Sequence, residues 1–205
     1  MGLDKLRQSS LHRPVLERWW LPVAVVLAAV FLLLGGETAR EALRFDRLGI
    51  GAGEFWRGVT GHFVHLGWPH FGLNAAGLGL VWYLVGDAYN ARRWLIIGGF
   101  SIIAMDLGLW FLDPELQWYV GLSGLLHGVL AAGLTERLRR PDVEAIVLAA
   151  LLLGKLAWEQ LSGPLPGSEA TAGGAVVVDS HLFGALGGAV TALMLRIRVR
   201  PARPI

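Results

Sequence analysis

Long uncharged stretches, separated by short charged segments, run along most of the chain. Charged residues interrupt the third stretch, at Asp106, and the fifth, at Lys155 and Glu159. A helix that spans a bilayer needs about 20 mostly apolar residues. The pattern therefore predicts an all-α integral membrane protein, a bundle of six transmembrane helices. These are expected over residues 19–36, 70–86, 94–112, 116–135, 143–161 and 180–195.

Composition agrees with a membrane protein. The chain has 205 residues, of which 54% are hydrophobic and 17% charged, whereas a soluble domain carries about 25% charged residues. Its 28 glycines and nine tryptophans suit close helix packing and the membrane interfaces. The absence of cysteine excludes disulfides and thiolate-bound metals. We expect the lipid bilayer as surroundings and no nucleic-acid partner.

Basic residues predict the orientation of the bundle. They precede the first span, fill the second-to-third and fourth-to-fifth loops, and follow the sixth span: Lys5, Arg7, Arg13, Arg18, Arg92, Arg93, Arg137, Arg139, Arg140, Arg196, Arg198, Arg200 and Arg203. The third-to-fourth and fifth-to-sixth loops hold no lysine or arginine. Because cytoplasmic loops retain positive charge, both termini are predicted to be cytoplasmic. The chain is interpreted as one domain, 1–205, with a basic N-terminus (1–18) and a basic tail (196–205).

Two loops have distinct patterns. In the first loop, residues 37–57, Ala39, Ala42, Leu43 and Ile50 lie among alternating charges, which predicts a short amphipathic helix at the membrane interface. Residues 160–178 are rich in glycine, proline and serine and are predicted to form a mobile loop on the outer side.

Polar side chains at membrane depth are costly and usually functional. Ser123 lies in a Gly-Leu-Ser-Gly sequence near the predicted outer end of the fourth span, and His181 begins the sixth span on the same side. Alone, such a serine more often bonds a carbonyl one turn back. A structural histidine between ordinary packed helices is the corresponding alternative for His181.

Small residues favour contact between these two helices. They recur every four positions on each: Gly124, Gly128 and Ala132, and Gly184, Gly188 and Ala192. Such faces let helix backbones approach closely, which would bring His181 to Ser123. A nucleophile and its general base are then predicted.

A third group of polar residues surrounds the start of the second span. His70 and Asn74 are four residues apart and share one helical face. Both can donate hydrogen bonds to an oxyanion beside the Ser123 amide, and Gly121 is assigned to the same substrate-binding set. Metal binding by His62, His65 and His70 is the rival interpretation, but no His-Glu-x-x-His sequence accompanies them. Loop packing alone would also account for His62 and His65.

Other polar residues have supporting interpretations. His127 follows Ser123 by four residues and could replace His181 as base, although its spacing better suits a supporting role, which we also assign to His65. Asp106 and Lys155 could pair between the third and fifth spans, or extend to the interface. Asp179 most simply caps the sixth helix, with membership of a catalytic triad as the alternative.

The ordered motifs resemble the rhomboid intramembrane proteases. They are Glu-Phe-Trp-Arg at 54–57, His65, His70 and Asn74, Gly-Leu-Ser-Gly at 121–124, and His-Leu-Phe-Gly at 181–184. The resemblance implies a serine endopeptidase with a Ser123–His181 dyad and no metal or organic cofactor. It also implies a bacterial inner-membrane protein whose site faces the periplasm.

One variant residue suggests a subfamily. His127 stands where better-known bacterial rhomboids tend to carry tyrosine, and the chain is short, as in the rhombosortases. That resemblance implies membrane-anchored substrates with a C-terminal Gly-Gly motif, a transmembrane helix and a basic tail. Alternatives are a general rhomboid protease and an inactive rhomboid-like protein that binds membrane clients. A transporter would predict internal repeats or broken helices, and the sequence suggests neither.

Overall fold

The computed structural model describes residues 15–197, so most of the predicted basic segments 1–18 and 196–205 lie outside the described residues. The elements are α1 (Val15–Leu34), α2 (Gly36–Leu43), β1 (Phe45–Asp46), α3 (Arg47–Gly51), α4 (Trp56–Thr60), α5 (Trp68–Val85), α6 (Ala91–Phe111), β2 (Trp118–Tyr119), α7 (Ser123–Arg137), α8 (Val143–Ser162), α9 (Ser168–Ala172) and α10 (Val178–Ile197), with a 3-10 turn at Gly86–Ala88.

The described part of the chain is an all-α membrane protein, as predicted. The helices α1, α6, α8 and α10 are each long and apolar enough to cross a bilayer. Large apolar side chains on α1 and α8 face outward, including Phe31 and Leu151, which suits contact with lipid. The helices α5 and α7, of 18 and 15 residues, pack among them.

Glycines bring α7 and α10 into backbone contact at the centre of the bundle. A Cβ atom added at Gly184 would collide with the carbonyl oxygen of Gly124, and one added at Gly188 would collide with that of Gly128. Only glycine leaves room for this approach. The two faces that meet are the small-residue faces recognised in the sequence.

The fourth predicted helix begins later than expected. The prediction started it at residue 116, but α7 starts at Ser123 because β2 pairs antiparallel with β1 of the first loop. Tyr119 is buried and its hydroxyl donates to the carbonyl of Gly121 at 2.5 Å. Gly121 has a φ of +128°, a conformation that a helix does not contain. Residues 119–122 are thus buried, while Trp118 remains exposed.

Both unusual loops contain more helix than the sequence pattern predicted. The first loop contains three short helices, α2 to α4, where one was expected. Arg47 anchors the loop by donating to the carbonyls of Leu109, Trp110 and Asp113 at the end of α6; such donors satisfy the last carbonyls of a helix. Residues 160–178, predicted as a mobile loop on the outer side, include the last turn of α8 and the helix α9.

Candidate active site

Ser123 and His181 lie within hydrogen-bond distance between α7 and α10. The Oγ atom of Ser123 is 2.9 Å from Nε2 of His181. Ser123 is half-buried, while the His181 ring is almost fully buried. The glycine contacts between the two helices bring these side chains together, because bulkier residues would separate the backbones.

A third side chain, Glu159 of α8, completes a chain of contacts that the sequence interpretation missed. Its Oε2 atom is 2.9 Å from Nδ1 of His181, and its Oε1 atom is 2.5 Å from Nζ of Lys155. Glu159 is 3% exposed. Since Lys155 and Glu159 lie four residues apart in an apolar helix, their shared face was the sequence signal that could have found this site.

Two pairings that the sequence left open as alternatives are not formed. Asp106 does not pair with Lys155; it lies 3.0 Å from Nε2 of buried His62. Asp179 accepts a hydrogen bond from Gln160 at 3.1 Å, and the carboxylate on His181 comes from α8 instead. The sequence could not distinguish these partners because each contact joins two distant segments.

His127 packs against His181 without replacing it at the serine. The two rings stack with centroids 4.2 Å apart and planes 19° apart. Nδ1 of His127 lies 2.7 Å from the carbonyl oxygen of Ser123, which can only accept, so Nδ1 carries the proton. This contact holds the His127 ring beside the His181 ring.

His70 and Asn74 of α5 border the turn that leads into Ser123. A Cβ atom added at Gly121 would lie 2.9 Å from Nε2 of His70 and 4.0 Å from Nδ2 of Asn74. The backbone N–H of Leu66 donates to Nδ1 of His70 at 3.4 Å. Neutral His70 therefore carries its proton on Nε2, the nitrogen that faces this turn.

His65 and His62 support the site from behind. The His65 ring is buried, with its centroid 5.1 Å from that of His70. Burial lowers the pKa of His65 to about 4, helped by the nearby His70, so His65 is neutral at physiological pH. His62 packs against Tyr119, 5.4 Å between centroids. Burial raises the pKa of Tyr119 to about 12, which keeps its hydroxyl protonated.

One group of side chains has donor atoms close enough for a metal ion. Ligand atoms of His127, Glu159 and His181 all lie within 4.8 Å of one another. A metal ion binds imidazole nitrogen in the plane of the ring, at about 2.1 Å. The nearly parallel stacked rings of His127 and His181 do not share a plane. This arrangement therefore favours hydrogen bonding over shared metal ligation.

These features define a helical membrane protein with a serine–histidine contact buried between its helices. Residues 52–198 match the family described as Rhomboid domain. The chain therefore belongs to the rhomboid family of intramembrane serine proteases. It is also 24% identical, over 149 residues, to a Bacillus subtilis (strain 168) protein named "Putative rhomboid protease YdcA"; the match covers 73% of this chain and 71% of that protein.

Proposed function

We propose that this protein is an intramembrane serine endopeptidase in which Ser123 is the nucleophile and His181 the general base. The 2.9 Å contact between Ser123 Oγ and His181 Nε2 carries the proposal. A serine hydroxyl is a weak nucleophile until a neighbouring base accepts its proton. Packing of His181 between α7 and α10 places that base at the hydroxyl.

The reaction follows from these two groups. Ser123 Oγ bonds to the carbonyl carbon of the scissile peptide as its proton passes to His181 Nε2. His181 then gives that proton to the departing amine, and the C–N bond breaks to leave an acyl-enzyme. Water, deprotonated by His181, attacks the ester and releases the acid product and Ser123.

Three N–H groups are proposed to bind the oxyanion. Ser123 is the first residue of α7, where helical N–H groups lack a partner within the helix. His70 Nε2–H and Asn74 Nδ2–H border the turn at Gly121 that precedes it. Donors arranged in advance stabilise the charge that develops on the carbonyl oxygen. His127, stacked on His181, holds the base in place.

Replacing Asn74 by alanine is expected to slow cleavage without abolishing it. Loss of one oxyanion donor reduces kcat by about 10²–10³-fold, and KM should change little because the donor acts mainly in the transition state. Asn90→Ala is the matched control, since Asn90 caps α6 and lies outside the site. Steady-state rates of purified variants test the role; equal kcat values for both variants would remove Asn74 from it.

The proposed membrane arrangement has six spans: α1, α5, α6, α7, α8 and α10. The helix α7 supports an orientation, since Ser123 is its first residue and Arg137 its last. Basic residues remain in the cytoplasm, so the site would face the periplasmic side of a bacterial inner membrane, with both termini cytoplasmic.

The proposed substrates are membrane-anchored proteins with a C-terminal Gly-Gly motif, a transmembrane helix and a basic tail, as in rhombosortases. The sequence from Gly121 to Gly128, with His127 in it, supports this assignment. Glycine in the substrate also suits a close approach to Ser123, which is half-buried between α5 and α10. A general rhomboid protease would cut other single-span proteins equally well.

A cleavage assay in proteoliposomes tests both the serine protease mechanism and the preference for a Gly-Gly substrate. Wild type and Ser123→Ala would each receive a Gly-Gly-anchored substrate and the same substrate with Leu-Leu in place of Gly-Gly. We expect wild type to cut the first substrate faster and Ser123→Ala to cut neither. Equal cleavage of both substrates would favour the general protease. Unchanged cleavage by Ser123→Ala would contradict the protease mechanism and favour client binding.

A further inference from the structure

A buried ion pair on α8 contacts the histidine of the proposed dyad. Glu159 divides its two oxygens between Nδ1 of His181, at 2.9 Å, and Nζ of Lys155, at 2.5 Å. The Glu159 side chain is 3% exposed and that of Lys155 is 30% exposed. A carboxylate is thus held away from solvent, directly behind the ring that contacts Ser123.

Burying a carboxylate is costly unless it is paired and hydrogen-bonded. The α8–α10 contact does not require this charge, because Gln160 already joins the two helices by donating to Asp179 at 3.1 Å. The position of Glu159 therefore indicates a role at His181 rather than in helix packing alone.

We propose that Glu159, oriented by Lys155, is a positioning residue that makes the site a serine–histidine–glutamate triad. A carboxylate can only accept, so it keeps the proton of neutral His181 on Nδ1. Nε2 then presents its lone pair to Ser123 Oγ. This inference rests on the proposed protease function.

The same contact acts after proton transfer. When Ser123 gives its proton to Nε2, the ring of His181 becomes an imidazolium with protons on both nitrogens. The Glu159 carboxylate stabilises that charge at Nδ1 and remains ionised. Lys155 Nζ lies 3.4 Å from Nδ1 of His181. Because both nitrogens then carry protons, neither can accept a hydrogen bond from the other. Lys155 therefore acts on His181 through Glu159.

The experiment compares Glu159→Gln, Glu159→Asp and the neighbouring control Gln160→Ala in the proteoliposome assay. Glutamine keeps the shape of the side chain but can donate to Nδ1 and favour the wrong tautomer. We expect kcat to fall about 10⁴-fold in Glu159→Gln, the loss seen when a triad carboxylate is replaced, with little change in KM. Glu159→Asp keeps the charge on a shorter side chain, so it should recover at least about tenfold of this loss but stay below the wild-type kcat. Gln160→Ala should match wild type.

The pH dependence separates positioning from a merely structural role. Without its carboxylate partner, the imidazolium form of His181 is less stable, so the acid limb of kcat/KM should move to lower pH in Glu159→Gln. A structural defect would lower the amount of active protein and leave that limb in place. The nitrogen chemical shifts of His181 should also show loss of the Nδ1–H tautomer.

The inference is overturned if folded Glu159→Gln keeps the wild-type kcat and the wild-type acid limb while Ser123→Ala is inactive. If Glu159→Gln does not accumulate, Glu159→Asp provides the test. Its shorter side chain should lower kcat while the melting temperature stays unchanged. A wild-type kcat in Glu159→Asp would overturn the positioning role of Glu159. Activity in Ser123→Ala would instead remove the proposed function itself.

Discussion

Replacing His181 by alanine is expected to reduce the single-turnover rate of cleavage by about 10⁶-fold, the loss seen when the base of a serine protease is removed. His181 Nε2 lies 2.9 Å from Ser123 Oγ and is the base in contact with that hydroxyl. Without it, no group accepts the serine proton as the C–O bond forms. Substrate binding should persist, because the His181 ring is buried behind Ser123.

His127→Ala is the matched control for that experiment, since it removes a second imidazole from the same site. Its ring stacks on His181 and its Nδ1 proton is committed to the Ser123 carbonyl. We expect a loss of about tenfold, from looser placement of the base. If His127→Ala abolished cleavage and His181→Ala only weakened it, the roles of the two histidines would be exchanged.

Replacing Gly188 by valine is expected to separate α7 from α10 and destabilise the whole bundle. A Cβ atom at position 188 would meet the carbonyl oxygen of Gly128, and a backbone atom cannot move aside as a flexible side chain can. We expect a loss of at least about 3 kcal/mol, at the upper end of overpacking costs. Cleavage should be lost as well, because the contact also places His181 beside Ser123.

Thermal unfolding in detergent measures this effect. Gly154→Val is the control, because a Cβ atom at Gly154 of α8 has nothing within 4 Å. The melting temperature should fall sharply for Gly188→Val and remain near that of wild type for Gly154→Val. Equal melting temperatures would contradict backbone contact between α7 and α10.

The sequence predicted the helices well where their cause is local. Long uncharged stretches predicted the six helices, and four of them, α1, α6, α8 and α10, are long and apolar enough to span a bilayer in the structure. The small residues of α7 and α10 indicated which faces could approach closely. Ordered motifs around Ser123 and His181 pointed to the rhomboid family, which the match over residues 52–198 confirms.

The sequence did not predict features that depend on distant partners. Residues 116–122 are uncharged, like the segments that form membrane helices, but they form a strand and a turn. The reason is that β1 supplies backbone partners and Gly121 adopts a positive φ. Asp106 pairs with His62, between α4 and α5, rather than with Lys155. In each case a contact between separate segments overrides the local pattern.

By itself, the sequence determined a helical membrane protein of the rhomboid family and named Ser123 and His181 as the residues to examine. Hydropathy suffices for the helices, because membrane helices form where apolar stretches are long enough to bury their own backbone polar groups. The family was indicated by the resemblance of the ordered motifs. Only the tertiary structure decided that Glu159 contacts His181. The spacing of Lys155 and Glu159 marks a polar face on α8, but the partner of that face depends on how α8 packs against α10.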